Sequence, residues 1–151
     1  MKKIFFLSVA LLTLFISCNN SSEKKNSDQA MADTLLKEVM DGHDVGMARM
    51  HKLDKAQKQA QQILDSIAKL PAAAQQAAAS LKTQMDELLK DLGYADFAMN
   101  KWMNEFNYDS AKSDIQQRIK YLADEKLKVD KMKEAILSSL SKADSLLESK
   151  N

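Results

Sequence analysis

The sequence predicts an all-α protein, an antiparallel three-helix bundle of coiled-coil type running up-down-up. Three observations carry that expectation. Only three glycines and one proline occur in 151 residues, which permits long uninterrupted helices and disfavours a sheet with many turns. Leu81, Met85, Leu88, Leu92, Ala95, Met99, Trp102 and Phe106 recur at alternating steps of four and three. At about 100° per residue they form one narrow apolar stripe, as needed to seat a helix between other helices. Stretches on either side keep the same spacing, which sets the number of helices at three.

Ahead of the bundle stands a leader over 1–17. Met1-Lys2-Lys3 is a short positive segment, and Ile4 to Ile16 is apolar except for Ser8 and Thr13. As a helix this run reaches roughly 20 Å, short of a bilayer core of ~30 Å, so it reads as a signal peptide rather than a span. It ends at Cys18, the one cysteine of the chain, preceded by Leu14-Phe15-Ile16-Ser17. This resembles the lipobox of bacterial lipoproteins, which implies acylation of Cys18 and cleavage before it. Several acyl chains satisfy the requirement that stable anchoring takes more than one lipid. Residues 18–27 are polar with nothing to bury, and read as the lipidated cysteine and a disordered tether. Asn19 is not the aspartate that retains many enterobacterial lipoproteins in the inner membrane. That resemblance implies an envelope protein held at the outer membrane.

The bundle occupies 28–151, with helices expected over 28–69, 72–106 and 110–149. The first opens near Asn26 to Asp28, where side chains can cap free amides. Its stripe is Leu36, Val39, His43, Gly46, Met50, Leu53, Gln57, Ala60, Leu64 and Ile67. Gly42 and Gly46 each cost about 1 kcal/mol relative to Ala, yet the periodicity runs through both. Pro71 ends that helix and suits the first turn of the next. The alanine-rich stretch 72–79 then favours helix while offering little bulk. The stripe continues across Gly93, so one helix is expected there. Asn107-Tyr108-Asp109-Ser110 is the second turn, with Asp109 or Ser110 as the next cap. The third stripe is Ile115, Ile119, Leu122, Lys126, Val129, Lys133, Ile136, Leu140, Ala143 and Leu147. Asp114 with Arg118, and Glu125 or Asp124 with Lys128, read as solvated pairs worth a few tenths of a kcal/mol.

Charge and composition exclude several functions. Without Lys2 and Lys3 the chain has 20 basic and 21 acidic residues, and Arg49 and Arg118 are the only arginines. Nucleic-acid binding needs a basic surface that this balance does not supply. A catalytic residue is hard to nominate. Acylation consumes the only thiol, no glycine-rich phosphate loop occurs, and neither His43 nor His51 has the glutamate three residues earlier that di-iron bundles use. A close-packed core also leaves little room for a small-molecule substrate. The chain therefore reads as non-enzymatic, without a cofactor, acting through contacts with an envelope protein as a scaffold or holding chaperone.

One cluster bears on function. Folding back at Pro71 and again near Tyr108 gathers Met40, His43, Met47, Met50, His51, Met99, Trp102 and Met103 at the end beside the tether. Thioether and imidazole donors select Cu(I) or a similar soft ion, and His43, Met47 and His51 follow at i, i+4, i+8. Adjacent pairs stand ~6 Å apart along the axis, so two of them could share an ion with Met99 or Met103, but not all three. A second reading makes Met40, Met50, Trp102 and Phe106 a partner-facing patch, since Met-rich surfaces adapt to partners. A third has methionine filling irregular core space around the tryptophan.

Two segments also resemble a known family. Glu38-Val39-Met40 with His43-Asp44, Met47 and Met50, and Asp96 with Ala98-Met99, Trp102-Met103 and Phe106, resemble small helical lipoproteins of Bacteroidetes. These are often catalogued under the label "viral A-type inclusion protein". The resemblance implies an address and a fold and no activity.

Overall fold

The computed structural model describes residues 20–147. The predicted leader 1–17 and the lipidation site Cys18 lie outside the described residues. Five helices follow in order: α1 (Asn20–Met47), α2 (Met50–Ala68), α3 (Ala72–Ala77), α4 (Ala79–Glu105) and α5 (Ile115–Leu147). Among the described residues there is no strand, so the class is all-α.

Local chemistry explains where the elements begin and end. The segment expected to be a disordered tether is helical from Asn20 onward. It is polar and exposed from Glu23 to Ser27, so packing does not hold it. Once a helix is nucleated, each added residue needs only one further hydrogen bond, and α1 propagates outward from its packed portion. The helix expected over 28–69 divides at Ala48–Arg49. There the Arg49 N–H donates to the Gly46 carbonyl at 2.9 Å, one residue tighter than the Ala48 N–H to Asp44 bond at 3.0 Å. The helix expected over 72–106 divides at Ala78 and runs unbroken through Gly93, as expected. No residue of α3 is buried, so no core contact keeps it in register with α4. Gly93 lies between buried Leu92 and Ala95, and packing on both sides outweighs its propensity cost of about 1 kcal/mol.

Two turns are tied down by side chains. Pro71 is extended at φ −59°, ψ 152°. Gln75 Nε2 reaches back over it, donating to the α2-terminal carbonyls of Ala68 (3.1 Å) and Leu70 (2.8 Å). The second turn is longer than expected, because the cap of α5 is Asp114 rather than Asp109 or Ser110. Asp114 Oδ1 accepts from the backbone N–H groups of Gln116 (3.0 Å) and Gln117 (3.1 Å). These bonds hold its carboxyl below the usual carboxylate range. Ala111 just before it sits at φ 56°, a left-handed conformation that interrupts any earlier helix.

The register between helices follows from cross-helix pairs. Asp28 meets Gln116 at 2.7 Å, Glu38 approaches Lys126 at 4.0 Å and Lys52 meets Asp144 at 2.8 Å. Rising numbers on both sides mean that α1 and α2 run in the same direction as α5. Along α4 the order reverses: Asp91 pairs with Lys142 at 2.8 Å, while Phe106 stacks near Tyr121. The principal neighbours are α1 with α5, α4 with α5, and α2 with α4. Val39, Leu53, Met85, Leu88, Leu92, Met99, Leu122, Val129 and Ile136 are fully buried between them.

The buried face of α5 differs from the expected stripe. Arg118, Glu125 and Met132 lie inside, where Ile119, Lys126 and Lys133 were expected. Arg118 is therefore not a solvated partner of Asp114. It donates from Nη1 to the Ser110 carbonyl at 2.7 Å, with its guanidinium 5.9 Å from the Tyr108 ring centre. Asp124 pairs with Lys120 at 2.7 Å and leaves Lys128 to Glu125. Glu125 is only 2% exposed.

Candidate functional site

An aromatic column crosses the end of the bundle near the second turn. The His43 ring on α1 lies 5.3 Å from Trp102 on α4, Trp102 stacks on Phe106 at 4.7 Å, and Phe106 lies 6.2 Å from Tyr121 on α5. The Tyr121 hydroxyl accepts from the Asn107 N–H at 2.7 Å, which ties the column to the turn. Trp102 is 6% exposed and Phe106 is half-buried. Both belong mainly to the interior, and the expected partner-facing patch loses its two aromatic members. Met40 and Met50 are half-buried as well.

Two buried side-chain atoms lack a hydrogen-bond partner among the described residues, Trp102 Nε1 in the column and Glu125 Oε2 on α5. One turn from the Phe106–Tyr121 contact, the opposed helices bring Trp102 and Glu125 to the same level. The other oxygen of Glu125 accepts from Lys128 Nζ at 2.7 Å. That bond pushes the Lys128 ammonium pKa up.

The predicted sulfur and imidazole ligands divide into two groups. Met99 is fully buried, and its Cε stands 2.7 Å from where a Cβ on Gly46 would be. It fills the core opposite a glycine, as the core-packing reading expected. His51 is exposed on α2. Eight residues on from His43 it lies about 80° further round the axis, and the tighter turn at Ala48–Arg49 intervenes. Met47 and Met103 are each 42% exposed.

Helix flanks fix which of these meet. Glu38 of α1 and Asp91 of α4 reach toward lysines of α5. The opposite flank of α1 carries His43 and that of α4 carries Met103. Gly46 is level with Met99, and the helices run in opposite senses, so one turn away His43 is level with Met103. Met47 follows His43 by one turn on α1, a Cβ separation of about 6 Å. Compared with family models, curated proteins and solved structures, the chain matches none.

His43 is held in one orientation. Its Nδ1 lies 2.9 Å from Asp44 Oδ1, and its side chain is 18% exposed. An ionised carboxylate can only accept, so in the neutral ring the proton sits on Nδ1 and Nε2 keeps its lone pair. Sequence reasoning gave Asp44 no role beyond the family resemblance; the signal available was an acid directly beside a histidine. Glu125 was assigned to the surface, although its three-residue step from Leu122 and four-residue step to Val129 fit a buried position. Among the described residues, no three His, Cys, Asp or Glu groups converge on a common metal position. Surface grooves among the described residues lie elsewhere. One of about 500 Å³ is lined by residues including Ile63, Ile67, Leu81 and Leu147, and one of about 300 Å³ by residues including Asp91, Tyr94 and Lys142. Neither touches the column.

Proposed function

We propose that this chain is a lipid-anchored, non-enzymatic component of the cell envelope, held at the outer membrane by acylated Cys18 and acting through protein contacts. Its helices serve as an antiparallel three-helix rod, up-down-up, and its kin are the small helical lipoproteins of Bacteroidetes. A scaffold or a holding chaperone fits this reading. The observation that supports partner binding is the outward face of α4, where Tyr94 and Phe97 stand one turn apart at 62% and 60% exposure. Two rings left in water on one helix face offer apolar area that a partner can cover. A Cβ added at the neighbouring Gly93 would meet nothing within 4 Å, so the approach to that face is open.

The test places a photoreactive benzoylphenylalanine at Phe97 in the full-length protein, expressed in its own host. Irradiation is expected to give a discrete adduct with an envelope protein, and none from the same residue at exposed Lys131. Absence of a discrete Phe97 adduct in both growing and stressed cells overturns the contact reading. Failure of radiolabelled palmitate to enter the protein overturns the anchor.

A further inference from the structure

We propose that His43, Met47 and Met103 form a binding site for a soft monovalent cation, Cu(I) or its congener Ag(I), on the flank between α1 and α4. This goes beyond the partner-binding face of α4 and does not depend on it. Three features of the site converge. The 2.9 Å bond from His43 Nδ1–H to Asp44 leaves Nε2 as a lone-pair donor in a fixed direction. A metal-binding imidazole uses the same arrangement, with its second nitrogen donating to a carboxylate. Met47 and Met103 hold thioethers on the same flank, one a turn along from His43 and the other across from it. At 42% exposure neither methionine is filling the core, in contrast to the fully buried Met99.

The donor chemistry selects the ion. Two neutral thioethers and one neutral imidazole are soft donors, which suit a d¹⁰ monovalent ion and hold hard divalent ions poorly. The Asp44 carboxylate beside the imidazole offsets the single positive charge. Three of the five residues that sequence spacing nominated therefore remain. Met99 is committed to the core opposite Gly46, and His51 has turned away. Asp44 enters as a positioning residue. Trp102, 5.3 Å from the His43 ring, is the only tryptophan of the chain and reports on the site.

The test is a Cu(I) titration of the full-length lipidated protein in detergent, without oxygen, in competition with bicinchoninate and after blocking free thiols with N-ethylmaleimide. One Cu(I) per chain is expected, with a fall in Trp102 emission that saturates at the same ratio. Met47→Leu and Met103→Leu keep volume at exposed positions and are expected to abolish the one-to-one complex. Asp44→Asn is expected to weaken it about tenfold, whereas Met99→Leu and His51→Ala leave it intact. X-ray absorption of the complex is expected to show both sulfur and nitrogen scatterers. No bound Cu(I), binding that survives the Met47→Leu/Met103→Leu double substitution, or binding lost with His51→Ala each overturns the proposal.

Discussion

Gly46 and Gly93 offer a comparison in which one energetic term cancels. Both glycines lie within helices, and replacing either by alanine gains about 1 kcal/mol of helix propensity. Their surroundings differ. An added Cβ at Gly93 meets nothing within 4 Å. At Gly46 it meets Met99 Cε at 2.7 Å, Ile136 Cδ1 at 3.1 Å and Met132 Cε at 3.5 Å. The nearest atom is the flexible tip of the Met99 side chain, which can swing aside cheaply, but Met99 and Ile136 are fully buried, so the methyl is accommodated at the low end of overpacking costs, about 1 kcal/mol. Gly93→Ala is thus expected to stabilise by about 1 kcal/mol, or roughly 3–5 °C in Tm at this size. Gly46→Ala is expected to fall below it by about 1 kcal/mol, and this gap measures the overpacking alone. Urea unfolding followed by far-UV circular dichroism reads both. A Met99→Leu background removes the offending Cε, and there the Gly46→Ala penalty is expected to shrink by at least about 0.5 kcal/mol in a double-mutant cycle. Equal stability of the two single alanine variants, or no coupling to Met99, refutes the seating of the Met99 side chain against Gly46.

Three other expectations are independent of this one. Glu125→Met removes a buried carboxylate with one unpartnered oxygen and frees a lysine that already reaches solvent, so stability is expected to rise by about 1–2 kcal/mol in thermal melts; a drop refutes the assignment of Glu125 to the core. Ala111→Gly relieves a left-handed backbone and is expected to stabilise by about 0.5–1 kcal/mol after the larger chain entropy of glycine is counted, again read by Tm. Hydrogen bonds from Lys126 and then Lys133 hold the Asp130 carboxyl below its usual range. The folded pKa is thus the lower one, and its contribution is present above about pH 4 and lost as pH falls through the folded value. The difference in urea midpoint between wild type and Asp130→Asn should therefore close as the medium is acidified, and a difference that persists at low pH contradicts the pairing.

Legibility followed the number of neighbours each helix has to satisfy. The α4 stripe was readable residue by residue, from Met85 through Trp102, because one narrow apolar row faces the core and no polar residue interrupts it. On α5 the apolar row is interrupted, and a one-residue change of phase exchanges Lys126 for Glu125 and Lys133 for Met132. Periodicity alone cannot choose between lysine and glutamate at such a step. The choice rests on Glu125 finding Lys128 within its own helix and on Arg118 finding the Ser110 carbonyl, a contact that exists only once the turn is folded. The first expected stripe, now divided between α1 and α2, showed the same ambiguity on a smaller scale: Val39, Gly46 and Leu53 lie inside as expected, while His43, Met50 and Gln57 sit at the edge. That edge position is why His43 is available to a ligand. Its partner Met103 was nominated from antiparallel folding, but separating it from Met99 required the flank of α4, which spacing does not specify.

The first residues of α1 extend past the start of α5. Asp28 is already level with Gln116 near the start of α5, so the helical turns from Asn20 to Ser27 project about 12 Å past it. On the proposal that Cys18 is acylated, these turns would stand between the bilayer and the body as a mast in place of a leash. A flexible chain of the same length lets its cargo lie at any angle, whereas continuous helix transmits tilt from the bilayer to the body. The rod would then keep a preferred inclination, and a pair of glycines inserted between Asn20 and Ser27 should randomise that inclination without changing the fold.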